Sequence, residues 1–215
     1  MKRIIISVIA LCILFTACTK EVQNVSTVVT VTYPTINLIG SAYVLVAVNT
    51  PYVDSGAILI DDITHASSTI SATVNTVDVT TPGIYEVSYT AANANGFKTT
   101  AIRTVLVLNY TVPTGLNPSL DLEGSWERTN GIFVNLYKMA TGLYIIDNFA
   151  GSSLVYPAYL TTPTESTISM PAQTSFGFSL ATSGDALSLM PGDTTFSFVV
   201  IASGFGLSTR TFIKQ

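Results

Sequence analysis

The sequence predicts an all-β protein of two units, a two-sheet sandwich followed by an antiparallel β-meander or small barrel. Three observations predict it. From Val25 onward Val, Thr, Ile and Tyr dominate and alternate with polar residues, as in half-buried strands. Gly, Pro, Asn and Asp recur at short intervals as turns. No window carries an apolar stripe at helical spacing over three turns.

The chain opens with a compartment signal. Met1, Lys2 and Arg3 form a positive start, and residues 4–15 are apolar apart from Ser7 and Cys12. That run suits a secretory signal and falls short of the about 20 apolar residues that span a bilayer. It ends in Phe15-Thr16-Ala17-Cys18, which resembles a lipobox, with Phe15 where that motif usually has Leu. The resemblance implies removal of residues 1–17 as a signal peptide and acylation of Cys18. Cys12 is the poorer acceptor, because bulky Leu11 precedes it. Residues 18–24 then form the lipid anchor and tether. Within them Thr19-Lys20-Glu21 is similar to the surface-export signals of Bacteroidetes-type lipoproteins, although a solvated linker fits the same residues. The expected location is the outer membrane, on the cell surface or the periplasmic face.

Composition narrows the partners. Removing Lys2 and Arg3 from 9 basic residues leaves 7 against 13 acidic ones, a net charge of −6. Nucleic acid is excluded as a partner, since phosphates require clustered Lys and Arg. Both cysteines lie at or before position 18, so the mature β units depend on burial rather than disulfides.

Residues 25–109 form the first unit, with strands expected at 26–33, 42–48, 57–60, 69–74, 83–91 and 98–108. Pro34, Pro51, Pro82-Gly83 and residues 93–96 are the turns. Within it, Tyr33-Pro34, Pro51-Tyr52 with Asp54, Gly56 and Ala57, Thr81-Pro82-Gly83-Ile84-Tyr85 with Val87 and Tyr89, and Arg103, Val105 and Val107 resemble a bacterial immunoglobulin-like domain of the crystal-toxin type. The resemblance implies an immunoglobulin-like sandwich that serves as a spacer or adhesive module. Members often carry an acidic loop where this chain has Asp61-Asp62-Ile63-Thr64-His65. Two adjacent Asp point to opposite faces and fall short of a calcium shell, so no metal is expected. His65 is the single histidine, which excludes paired-histidine zinc motifs.

Residues 110–118, with Pro113, Gly115 and Pro118, read as a linker that permits a hinge. Residues 119–215 form the second unit. Its expected strands are 124–128, 132–138, 142–149, 154–160, 167–170, 176–181, 186–190, 194–202 and 207–214. Thr129-Asn130-Gly131, Ser183-Gly184-Asp185 and Pro191-Gly192-Asp193 read as hairpin turns. Leu122-Glu123-Gly124-Ser125-Trp126-Glu127-Arg128-Thr129, followed by residues 142–151, resembles the C-terminal β domain of a Bacteroidetes lipoprotein family in which an immunoglobulin-like domain comes first. Gly124-Ser125-Trp126 also echoes the Gly-x-Trp opening of lipocalin barrels, a pattern too short to specify a fold.

No constellation specifies catalysis. There is no Gly-x-Ser-x-Gly to serve His65, and Cys18 is the anchor. Asp121, Glu123, Glu127, Asp147, Glu165, Asp185 and Asp193 supply carboxylates by number, but nothing in the sequence pairs them across a cleft. Aromatic residues point instead to binding. Pairs such as Phe176/Phe178 and Phe196/Phe198 have the spacing of one buried sheet face, whereas Trp126, Tyr156 and Tyr159 are the candidates for exposed, ligand-binding rings. The expectation is a non-enzymatic, cofactor-free lipoprotein that binds a glycan through residues 119–215. A structural or adhesive protein binding another surface protein is the first alternative, and a hydrolase using paired carboxylates the second.

Overall fold

The computed structural model describes residues 31–112, 120–175, 177–190 and 192–215. The expectations for Cys18, for residues 1–24, for most of the strand at 26–33, for most of the linker and for Phe176 lie outside them. Among the described residues all regular structure is strand. The first unit contains β1 (Thr35–Leu38), β2 (Tyr43–Ala47), β3 (Ala57–Ile60), β4 (Ser67–Ile70), β5 (Val74–Asn75), β6 (Gly83–Ala92) and β7 (Lys98–Leu108). They form two sheets, in the orders β1-β3-β4 and β2-β7-β6-β5, with β2 parallel to β7 and every other pair antiparallel.

Alternation builds the sandwich. Val87 and Tyr89 on β6, with Val105 on β7, point inward and are fully buried against Ala57 and Val46. One expectation shifts: the expected strand 69–74 divides into β4 and β5, which belong to different sheets. The sandwich core also holds a charge pair. Arg103, 1% exposed, donates to Asp54, to the Tyr89 hydroxyl (2.8 Å) and to the carbonyls of Ser41 (3.0 Å) and Ile39 (2.6 Å). Asp54 further accepts from the Tyr52 hydroxyl (3.0 Å) and the Gly56 amide (3.2 Å). Tyr52, Asp54, Gly56, Tyr89 and Arg103, five of the residues that carry the family resemblance, therefore converge on one polar knot.

The second unit contains β8 (Gly124–Arg128), β9 (Phe133–Ala140), β10 (Leu143–Ile146), β11 (Ala158–Thr164), β12 (Thr167–Ser169), β13 (Gln173–Ser175), β14 (Phe178–Met190), β15 (Asp193–Ile201) and β16 (Thr209–Lys214). They make one antiparallel sheet in the order β12-β11-β10-β9-β8-β16-β15-β14-β13. The sheet curls until its ends meet. The Leu187 amide donates to the Ser166 carbonyl (2.8 Å), and the Gln173 side chain pairs with both the amide and the carbonyl of Tyr159 (2.9 Å each). These bonds occupy groups that an open edge strand would expose. The expected turn at Ser183-Gly184-Asp185 is instead a bulge within the single strand β14, where Gly184 takes φ +63°.

The barrel interior is aromatic. Phe196 stacks on Phe212 at 4.6 Å between centroids and receives Trp126 edge-on at 4.7 Å, with Phe198 alongside. On the other side of β7, Leu106 and Leu108 are buried with Leu143 of β10 in a cluster shared by both units. Tyr110 hydrogen-bonds Thr161 across the same junction, and burial pushes its hydroxyl pKa up to about 12. That cluster explains why β7 ends in the continuous apolar run Val105 to Leu108.

Candidate functional site

Trp126, Tyr156 and Tyr159 do not form one site. Trp126 is 0% exposed, and its indole donates to the Leu122 carbonyl at 2.9 Å, so it belongs to the barrel core and is corrected as a surface ligand contact. The reason is parity: on β8 the residue between Ser125 and Glu127 faces inward. Tyr159 lies at the junction of the units, 6.3 Å from Tyr43 ring to ring, and lines a cavity of about 610 Å³ with Ile84, Glu86 and Gln173. Tyr156 lies elsewhere, at one mouth of the barrel.

That mouth is a cavity of about 370 Å³, within the range of small-ligand sites. Tyr156, Phe178 and Phe205 form its aromatic wall, with Phe205 5.4 Å from Tyr156 and 5.2 Å from Phe178, both edge-on. Phe149 backs the cluster at 5.3 Å from Phe205. The loop between β10 and β11 supplies Tyr156, where the sequence suggested a strand starting at Leu154. Its backbone is pinned by the Phe149 amide donating to the Tyr156 carbonyl (2.9 Å) and by Asn148 donating to the Ser152 carbonyl (2.7 Å). Leu154, Val155 and Leu207, each more than 60% exposed, lie on the two loops that frame the opening.

Two arginines line the same cavity. Arg128 follows Trp126 by two residues on β8, and Arg210 precedes Phe212 by two on β16, so both side chains continue the inward-facing rows. Because Phe212 pairs with Arg128, the two arginines are diagonal neighbours across adjacent strands. Arg128 donates to the carbonyls of Ala150 (2.9 Å) and Gly151 (3.0 Å), and Arg210 to those of Phe205 (2.7 Å) and Ser208 (3.3 Å). Gly151, at φ +53°, fits tightly over the Arg128 stem, where an added Cβ would collide with Cδ.

The electrostatics of the pair are unusual. Arg210 is 3% exposed, and burial together with the Arg128 charge lowers its pKa from the ordinary guanidinium value. Both Nε atoms are buried and make no hydrogen bond within the protein. Among the described residues the only ion pair is Arg103 with Asp54, and no carboxylate lines the mouth. The third pocket, about 450 Å³ along β2, contains Arg103, whose donors are already taken up by Asp54 and backbone carbonyls. No group of three or more metal-ligating side chains occurs among the described residues.

Sequence reasoning missed Arg128 and Arg210. A usable signal was present: each stands two residues from a core aromatic on the same strand, which puts its side chain on the inward face.

Comparison with known proteins bears on the first unit most directly. Residues 36–107 match the family described as bacterial surface protein, Ig-like domain. The first unit is therefore an immunoglobulin-like domain of the kind found in bacterial surface proteins. The chain is similar to the lipoprotein BT2262 from Bacteroides thetaiotaomicron, with 24% sequence identity, 85% of this chain and 100% of that one covered, and a TM-score of 0.40. No curated protein matches the chain.

Proposed function

We propose that this chain is a lipid-anchored, non-enzymatic outer-membrane lipoprotein whose barrel binds a glycan at the Tyr156–Phe178–Phe205 mouth. The immunoglobulin-like domain acts as a spacer between the acylated Cys18 and that mouth. The observation that carries the reading is the open aromatic wall, because sugar rings stack on aromatic faces while their hydroxyls meet polar neighbours. Paired-acid glycoside hydrolysis finds no residues at this mouth, since no carboxylate lines it.

Screening the full mature chain on a glycan array tests the binding. At least one oligosaccharide or polysaccharide should be retained, and Phe205→Ala should lose it. Capture of a surface protein with no glycan retained would favour the adhesive alternative, for which the edge position of β2 among the described strands is the structural argument. The anchor is tested separately: Cys18→Ser should lose labelling by a fatty-acid analogue, and unchanged membrane partitioning would contradict it.

A further inference from the structure

We infer that Arg128 and Arg210 form an oxyanion subsite at the barrel mouth, which takes the carboxylate or sulfate ester of an acidic glycan. The inference deepens the glycan reading and rests on it for the ligand's ring, but its own basis is the arginine pair. A mature chain with 13 acidic and 7 basic side chains has acids to spare for pairing. Yet these two guanidiniums lie together, without a carboxylate, in one cavity.

Each arginine is held by backbone carbonyls that carry no net charge. Those bonds fix the planes of the forks but leave two like charges in a partly buried space. Both Nε–H groups remain without an acceptor. An oxyanion answers each of these deficits at once. It supplies an acceptor to Nε, neutralises the mutual repulsion, and fits the planar fork with two parallel bonds. A neutral sugar answers only the first.

The aromatic wall sets the class of anion. Arg210 donates to the carbonyl of Phe205, the residue whose ring contacts Tyr156 and Phe178. A ligand whose anionic group reaches Arg210 therefore has its body beside Phe205. A uronate or sulfated sugar presents an oxyanion on a ring that can stack there, whereas inorganic sulfate or phosphate uses the arginines alone.

The test uses the full mature chain and four probes: polygalacturonate, a sulfated glycosaminoglycan, neutral dextran and inorganic sulfate. Retention of either acidic polymer, weakening as salt rises and reduced about 10- to 100-fold by Arg128→Gln, is the expected result. Arg128→Lys should recover only part of it, because the charge returns without the fork. Arg210 is buried and its replacement could unfold the loop it holds, so Gly151→Ala provides a second route, displacing Arg128 while leaving both charges. Equal binding of dextran and the acidic polymers, unaffected by Arg128→Gln, would overturn the oxyanion subsite and leave the glycan reading standing. Stabilisation by inorganic sulfate, lost in Arg128→Gln, with no polymer bound would support the subsite and overturn the glycan reading. No response to any probe overturns both.

Discussion

Replacing Asp54 with alanine removes one carboxylate and strands four donors. The Tyr52 and Tyr89 hydroxyls, the Gly56 amide and the Arg103 guanidinium all point at it. Arg103 suffers most, because its side chain is 2% exposed and has no other acid among the described residues. Breaking a buried pair from one side costs ~3–5 kcal/mol, and the 15% exposure of the Asp54 side chain puts the expected loss at the lower end, about 3 kcal/mol. For both units melting together as one cooperative body, that corresponds to a fall in Tm of roughly 6–12 °C. Paired urea and thermal melts of wild type and Asp54→Ala measure it. The effect also has a pH signature. Burial alone would raise the Asp54 pKa, but hydrogen bonds from Tyr89, Tyr52 and Gly56 and the Arg103 charge hold it below the ordinary 3.8. A depressed native pKa contributes stability that is fully present above the unfolded value and lost as pH falls through the native one. The gap between wild type and variant should therefore be full at pH 7 and shrink below about pH 4. A loss under about 1 kcal/mol, as for an exposed pair, or a gap that widens on acidification, would refute the reasoning.

Two further outcomes follow from packing. Trp126→Ala should destabilise the barrel by ~3–5 kcal/mol through the cavity it opens against Phe196. Trp126→Phe, which stays folded, should bind ligand as wild type does; a selective loss of binding in a stable Trp126→Phe would return the residue to the site. Leu143→Asp places an unpaired charge in the cluster it shares with Leu106 and Leu108, so a single cooperative melt should split into two and cleavage at 111–118 should accelerate. Unchanged melting would mean that the shared cluster does not couple the two units.

The sandwich was legible in the sequence because its information is local. Alternating Tyr85, Val87 and Tyr89 fix one face of β6, and the strands expected at 57–60 and 98–108 appear at those positions. Features that depend on distant partners are less legible. Gly184 between Ser183 and Asp185 looks like a hairpin, yet β15 runs past it and converts the turn into a bulge. Leu154 and Val155 have strand propensity, but they lie in the loop that frames the mouth and stay more than 60% exposed. Of the candidate site, the aromatic residue types are legible and their burial is not: Trp126 is buried because its indole has an internal acceptor in Leu122, a partner no sequence pattern reveals. Arg128 and Arg210 are separated by most of the second unit, and only the pairing of β8 with β16 makes them neighbours.

Hydrogen exchange on the full mature chain, with and without the glycan that it retains most strongly, tests the central assignment most directly. Backbone amides slow where a ligand holds a loop closed. New protection should appear in residues 149–156 and 203–210, the two loops that carry Tyr156, Gly151 and Phe205, and should vanish in Arg128→Gln. Protection centred on Tyr159, Gln173 and Thr174 at the junction of the units, or along β2, with none at the mouth, would contradict the account.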